Sequence, residues 1–294
     1  MAGPAPESFV PDPNLKIWLN GELVSPAQAR VGVGIRSYNG RVFERITHLK
    51  RLEESARAIR LKIPYGVSEL SAAVDQTLEA NGLLKPGVDA YIRPVVTRGN
   101  GALGISPMKT GQPQVVIIAA SLLMYPPEMY ERGMPTIISS VTRNHSNAMP
   151  PRIKSLNYLN NILAKLEAID AGVGEAIMLN AQGCVAEATG DNIFIVRNGQ
   201  LQTPPTSAGI LEGITRNTVI RLAREAGIEV VEKDLERLDL YVADECFLTG
   251  TGAEIIPVTS IDKRPIGSGE VGPIARQMIT TYRELVRSAT DVRP

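Results

Sequence analysis

Residues 152–161 read RIKSLNYLNN: a lysine, a tyrosine four positions on, and then a run with helical periodicity. Leu156, Leu159, Leu163, Leu166 and Ile169 fall on one stripe of that helix. Most lysines are solvated charges with packed stems. Lys154 therefore carries chemistry only if the rest of the chain asks for a reactive amine. Upstream, TIISSVTR (136–143) reads as a strand. Downstream, AGVG ends the helix, and EAIMLN, VAEAT and NIFIVRNGQLQT form a strand meander with turns at AQG, GDN and RNG. GILEGITRNTVIRLAREAGI (209–228) is a glycine-punctuated loop entering a helix that stops at Gly227. A strand, a short helix, ECFLTGTGAEIIPV (245–258) and a C-terminal helix complete the chain.

The first part mixes strands and helices. IWLNGELV (17–24) and SYNGRVF (37–43) are hairpins on Asn-Gly turns. HLKRLEESARAIRL (48–61) places Leu49, Leu52, Ala56 and Ile59 at helical spacing, and SELSAAVDQTLEANG is a second helix closed by Gly82. AYIRPVVTR and QVVIIAASLLM are strands. YPPEMYERGMP (125–135), with three prolines, is the expected linker. The expected organisation is a small N-terminal α+β domain over 1–124, a linker over 125–135 and a larger domain over 136–294.

Of the 294 residues, 44% are hydrophobic and 21% charged, a globular profile. Net charge is zero and aromatic content is 4%, which argues against a nucleic-acid partner. Cys184 and Cys246 form no CxxC and suit a reducing compartment. The start lacks the charged and apolar regions of a signal peptide, and the run VVIIAASLLM is too short to span a bilayer. A cytoplasmic protein with no membrane partner is expected. His48 and His145 lack metal-ligand spacing, so no metal is expected. GNGALG (99–104) matches GxGxxG, but ISPMKTGQP after it cannot open a helix.

Anion-binding features remain. GILEGITRN sets glycines before a helix, where free N–H groups and the dipole favour a phosphate. LTGTGAEI (248–255) adds a strand-end loop with the hydroxyls of Thr249 and Thr251. Either loop alone is equally well an ordinary turn. Two in one region without a nucleotide motif point to a smaller phosphorylated ligand. Glu187, within VAEATGDNIF, lies on a solvated strand face or is buried against a cation, a role that a protonated pyridine nitrogen would fill. Lysine, phosphate cradle and buried acid together describe a pyridoxal phosphate site.

RIKSLNYLNN, EAIMLN…VAEATGDNIF, GILEGITRN and FLTGTGAEIIPV, in this order, resemble the fold-type IV pyridoxal phosphate enzymes, and within them the branched-chain amino acid aminotransferases. The resemblance implies an α/β (α+β) two-domain fold and reversible transamination of branched-chain L-amino acids with 2-oxoglutarate. By it, Lys154 forms the Schiff base with pyridoxal 5'-phosphate, Glu187 pairs with the ring nitrogen, and Tyr158 hydrogen-bonds the ring oxygen. Arg51 reaches the phosphate, Gly213, Ile214, Thr215 and Thr251 surround it, and Leu211 packs on the ring. Tyr91, Arg93, Thr251, Gly252 and Ala253 belong to the substrate pocket, with Gly252 where many relatives carry alanine. Amino acid and 2-oxo acid substrates and a homodimer or higher oligomer follow in the same way. D-amino acid and (R)-amine transaminases share the fold and stay open as alternatives. The chain also departs from the family: a stretch of the type DHGxxYGDGVFE is absent between Val33 and Gly34, which implies a weakly active or inactive homologue as a further alternative.

Overall fold

Asn20–Gly21 and Asn39–Gly40 all have positive φ, the backbone that a two-residue hairpin turn demands. The computed structural model describes residues 16–24, 34–101, 106–121 and 124–288. It opens with hairpins β1 (Ile17–Leu19) to β2 (Glu22–Val24) and β3 (Ile35–Tyr38) to β4 (Arg41–Val42). Helices α1 (Arg45–Ala58) and α2 (Val67–Ala80) follow, then strands β5 (Ala90–Thr97) and β6 (Gln114–Ala120). These strands form one antiparallel sheet in the order β2-β1-β6-β5-β3-β4. Leu70, Val74 and Leu78, one face of α2, pack with Ile92, Val115 and Ile117 of the sheet and with Leu49 of α1. Each such side chain stabilises the fold by about 1.5–3 kcal/mol.

The β5 strand is unevenly covered. It pairs with β6 over Tyr91–Thr97, but with β3 only over Ala90–Ile92. Among the described residues, no strand continues β3 beyond Ile35 to meet Arg93–Thr97. Val33 and the segment before it lie outside the described residues.

The stretch expected as a linker contains helix α3 (Pro127–Arg132), with proline at its first position. Tyr125, Met129 and Tyr130 pack against the next core, and Met134, which opens strand β7 (Met134–Ile138), is fully buried there. Helix α4 (Leu159–Asp170) and strands β8 (Glu175–Leu179), β9 (Val185–Ala188), β10 (Asn192–Arg197) and β11 (Gln200–Thr203) come next. Then follow α5 (Ile214–Glu225), β12 (Val230–Glu232), α6 (Arg237–Tyr241), β13 (Glu245–Gly250), β14 (Glu254–Ile261), β15 (Arg264–Pro265) and α7 (Pro273–Ser288).

These strands build a nine-stranded mixed sheet in the order β12-β11-β10-β13-β14-β7-β8-β9, with β15 beside β14. One face carries the core that includes Ile177, Ile193, Leu240 and Ile256; the other packs Phe194 and Phe247 against Val219 of α5 and Met278 and Tyr282 of α7. Burial on both faces explains why NIFIV in β10 is apolar without alternation. No helix among the described residues is long and apolar enough to cross a membrane.

The α4 helix starts at Leu159, so Lys154 lies in the turn before it, and the packing of the leucine stripe is corrected. The stripe Leu156, Leu159, Leu163, Leu166 and Ile169 faces outward, each residue 39–63% exposed. The inward face is Asn161, Ala164 and Ala168. Small alanines let the α4 axis approach β8 closely, which leaves the leucines on the opposite side.

Candidate active site

A cavity of about 510 Å³ opens where the two sheets meet, within the range of small-molecule sites. Arg51, Tyr91, Arg93, Lys154, Tyr158, Glu187, Leu211, Gly213, Ile214, Thr215, Thr251 and Gly252 all line it. Of the residues singled out in the sequence, only Ala253 does not; it is buried beside Gly252.

Lys154 is held from both sides. Its backbone N–H donates to Ser55 Oγ of α1 at 3.2 Å, and its Nζ is 3.2 Å from Tyr158 Oη. Arg51 projects from α1, and its Nη1 donates to the Glu212 carbonyl at 3.2 Å. Burial lowers the Arg51 pKa to about 10. His48 Nδ1 lies 3.5 Å from Arg51 Nη2. Burial, with the charges of Arg51 and Lys154, holds its pKa well below the usual range, so it stays neutral.

The loop before α5 supplies the other wall. Gly213 caps the helix, and the first-turn N–H groups at Ile214 and Thr215 have no helical carbonyl to engage. They face an anion-accepting space at the positive end of the helix. A side chain at Gly213 would overlap Asn192 Oδ1. Asn192 in turn fixes the loop by donating to the Leu211 carbonyl at 2.8 Å. Thr249 Oγ1, also on the cavity wall, is buried without a hydrogen-bond partner.

Glu187, on β9, is 5% exposed. Its Oε2 accepts from the Leu211 N–H at 2.9 Å and Asn192 Nδ2 at 3.2 Å. Its Oε1 accepts from Arg143 Nε at 3.1 Å and Nη2 at 2.9 Å. The buried branch of the sequence reading therefore holds, but the chain supplies a cation of its own. Burial raises the carboxyl pKa, and Arg143 opposes that rise.

Three residues at the site went unread in the sequence. Arg143 is one. Arg36 is another: its Nη1 donates to the Gly252 carbonyl at 2.9 Å and pairs with Glu254 at 3.1 Å, which ties down the 250–254 loop. Asp191 lines the cavity, is 9% exposed, and its carboxylate has no hydrogen-bond partner among the described residues. Burial, then the neighbouring Glu175 carboxylate, pushes its pKa up to about 7. A side chain at Gly250 would overlap it. Asp191 lies in the GDN turn and Arg36 immediately ahead of SYNGRVF, but only the fold shows which way they face.

Comparison with known proteins places the chain among a set of relatives. The amino-transferase class IV family model matches residues 34–261. The putative branched-chain-amino-acid aminotransferase of Methanocaldococcus jannaschii is 46% identical over 284 residues, covering 92% of this chain and 96% of the relative. The crystal structure of Escherichia coli branched-chain amino acid aminotransferase superposes with a TM-score of 0.88 at 36% identity, covering 94% of this chain and 95% of that one. The branched-chain amino acid aminotransferase from Thermobaculum terrenum, in its PLP form, superposes with a TM-score of 0.83 at 36% identity, over 94% of this chain and 95% of that one. The fold and family that the four sequence motifs suggested are both borne out. The chain belongs to the class IV aminotransferases.

Proposed function

We propose that this chain catalyses the reversible transamination of branched-chain L-amino acids with 2-oxoglutarate, with pyridoxal 5'-phosphate held at Lys154. The observation that carries this reading is the convergence of Lys154, Glu187 and the free N–H groups of α5 on one cavity. The residues fit the group: an amine, a buried acid, a positive helix end with Arg51 beside it, and the orphan hydroxyl of Thr249. When bound, the cofactor supplies an electron sink for charge developing at the substrate α-carbon.

Lys154 Nζ anchors the cofactor and is the base that removes and returns the α-proton. Tyr158 Oη holds the ring oxygen, and Glu187 offers its carboxylate to the ring nitrogen. Arg51, Gly213, Ile214, Thr215 and Thr251 hold the phosphate, and Leu211 packs on the ring. Tyr91, with Arg93 stacked 5.7 Å over its ring, and the Thr251, Gly252 and Ala253 loop receive the substrate. The relatives from Methanocaldococcus jannaschii (putative) and Escherichia coli are named branched-chain aminotransferases, which supports the substrate class.

The same reading divides the chain at 125–135 into a small domain and a larger cofactor-binding domain. It makes the enzyme a homodimer or higher oligomer, supported by the exposed apolar face of α4. It places the enzyme in the cytoplasm, supported by two free cysteines. The test is the visible spectrum of the purified protein before and after L-leucine, with D-alanine and an (R)-amine in parallel. A cofactor band that responds to L-leucine alone is expected. A response only to D-alanine or the amine would assign the chain to another branch of the family.

One observation favours a second reading, an enzyme of low activity. It is read in the sequence, where a DHGxxYGDGVFE-type stretch is absent between Val33 and Gly34. Inserting DHGLLYGDGVFE after Val33 should then raise activity and thermal stability together. Full L-leucine turnover by the chain without the insert excludes this second reading.

A further inference from the structure

The Glu187 carboxylate accepts four hydrogen bonds, two of them on one oxygen from a single guanidinium, that of Arg143. Arg143 is 8% exposed and comes from a different part of the chain, the segment leaving β7. Its backbone is fixed, since its N–H donates to the Leu179 carbonyl at 2.8 Å. Its third nitrogen, Nη1, faces only amide oxygens: Asn160 Oδ1 at 3.2 Å, Asn161 Oδ1 at 3.3 Å, and Asn144 Oδ1. Asn160 and Asn161 open α4, two and three residues after Tyr158. One buried cation thus links the acid wall of the cavity to the segment that carries Lys154 and Tyr158. None of these partners is a second carboxylate, so the guanidinium charge is directed at Glu187.

We propose that Arg143 is a positioning residue that keeps Glu187 an oriented carboxylate, so that the proton it shares with the cofactor's ring nitrogen stays on the nitrogen. This rests on the pyridoxal phosphate reading given above. The physical reason is one of distance. A buried acid beside a pyridine can hold the shared proton itself, giving a neutral acid and a neutral ring. Arg143 lies about 3 Å from the carboxylate oxygen, as its 2.9 and 3.1 Å hydrogen bonds show. It therefore stabilises the negative oxygen more than it opposes a positive nitrogen beyond it. The groups facing Glu187 include a second acid and a second cation: Asp191, whose carboxyl is itself pushed up by burial, and Lys154. With Arg143 removed, burial favours the neutral acid.

The test loads the full-length protein with pyridoxal 5'-phosphate labelled with nitrogen-15 in the ring and reads the ring nitrogen's chemical shift, which separates pyridinium from pyridine. The variants are Arg143→Gln, which keeps a donor and loses the charge, and Arg143→Lys, which keeps the charge. The parent and Arg143→Lys should show pyridinium at pH 8, and Arg143→Gln should shift towards pyridine. The half-reaction of Arg143→Gln with L-leucine should slow about 10- to 100-fold, and Arg143→Lys should recover part of it. A pyridinium shift in Arg143→Gln overturns the proposal. Should the Gln variant fail to fold, a neutral ring in Arg143→Lys overturns it equally. A purely structural role would lower the melting temperature of both variants without moving the nitrogen signal. Glu187→Gln separates the two levels of the argument. If it too keeps the ring protonated, the assignment of Glu187 is wrong and the role of Arg143 falls with it. If it loses the proton and Arg143→Gln does not, only the role of Arg143 is wrong.

Discussion

Lys154 Nζ lies 3.2 Å from Tyr158 Oη, across a turn that has not yet become helix. Had α4 begun at Lys154, the tyrosine would be placed by helical geometry. Instead it is placed by a turn whose backbone bonds, Ser155 to Ile153 and Tyr158 to Leu156, are local. Tyr158→Phe keeps the ring and loses only the hydroxyl. It should still bind the cofactor covalently, with the half-reaction slowed about 10- to 100-fold. Single-turnover kinetics with L-leucine measure this; a rate equal to the parent's would remove Tyr158 from the site chemistry.

Arg51 is buried deeply enough to lower its own pKa to about 10, a burden that an anion beside it would relieve. Arg51→Ala should therefore weaken cofactor retention on dialysis, and enzyme still loaded should react at a rate near the parent's. Arg51→Lys should rescue retention only in part, because an ammonium cannot reproduce the guanidinium fork. Equal retention in all three proteins would make Arg51 an ordinary helix arginine.

Asp191 makes stability depend on pH. Its pKa is raised from an ordinary 3.8 to about 7, chiefly by burial and then by Glu175, against the pull of Lys165 and Lys154. Between those values the folded chain holds a proton that the unfolded chain has released. Stability therefore falls as pH rises through this window, and the full cost applies above about 7. That cost is at most about 4 kcal/mol. Asp191→Asn should melt at a higher temperature than the parent at pH 8 in cofactor-free protein, and its advantage should shrink towards pH 5. A constant difference across that range would mean that Asp191 is ionised in the fold throughout.

How much of this was legible in the sequence depended on the range of the interaction. Asn20–Gly21 and Asn39–Gly40 fix their own turns locally, and both hairpins formed where expected. The glycine loop before α5 is local as well, and it lines the cavity. The stripe on α4 was legible as a stripe, but periodicity cannot say which face is buried, and Ala164 and Ala168 took the inward side. Arg143 lies 44 residues from Glu187. The sequence argument asked for a cation at Glu187 and could not find one already in the chain, because only strand order brings the two together.

The outward leucines of α4 lead to an expectation about assembly. Leu163 and Leu166 are 45% and 49% exposed, so charging them removes little packing within the chain. The double variant Leu163→Glu, Leu166→Glu should keep the parent's folded circular dichroism and lose mass by light scattering, to a monomer. A parent that is already monomeric, or a variant of unchanged mass, would show that this face is not the subunit contact.

The central claim is that Lys154 is the amine that holds the cofactor. Borohydride reduction of the pyridoxal phosphate-loaded protein, followed by peptide mapping, tests it most directly. The account predicts a single pyridoxyl label, on Lys154 within RIKSLNYLNN, lost in Lys154→Ala while the circular dichroism of that variant stays that of the parent. A label on any other lysine, with Lys154 unmodified, would contradict it.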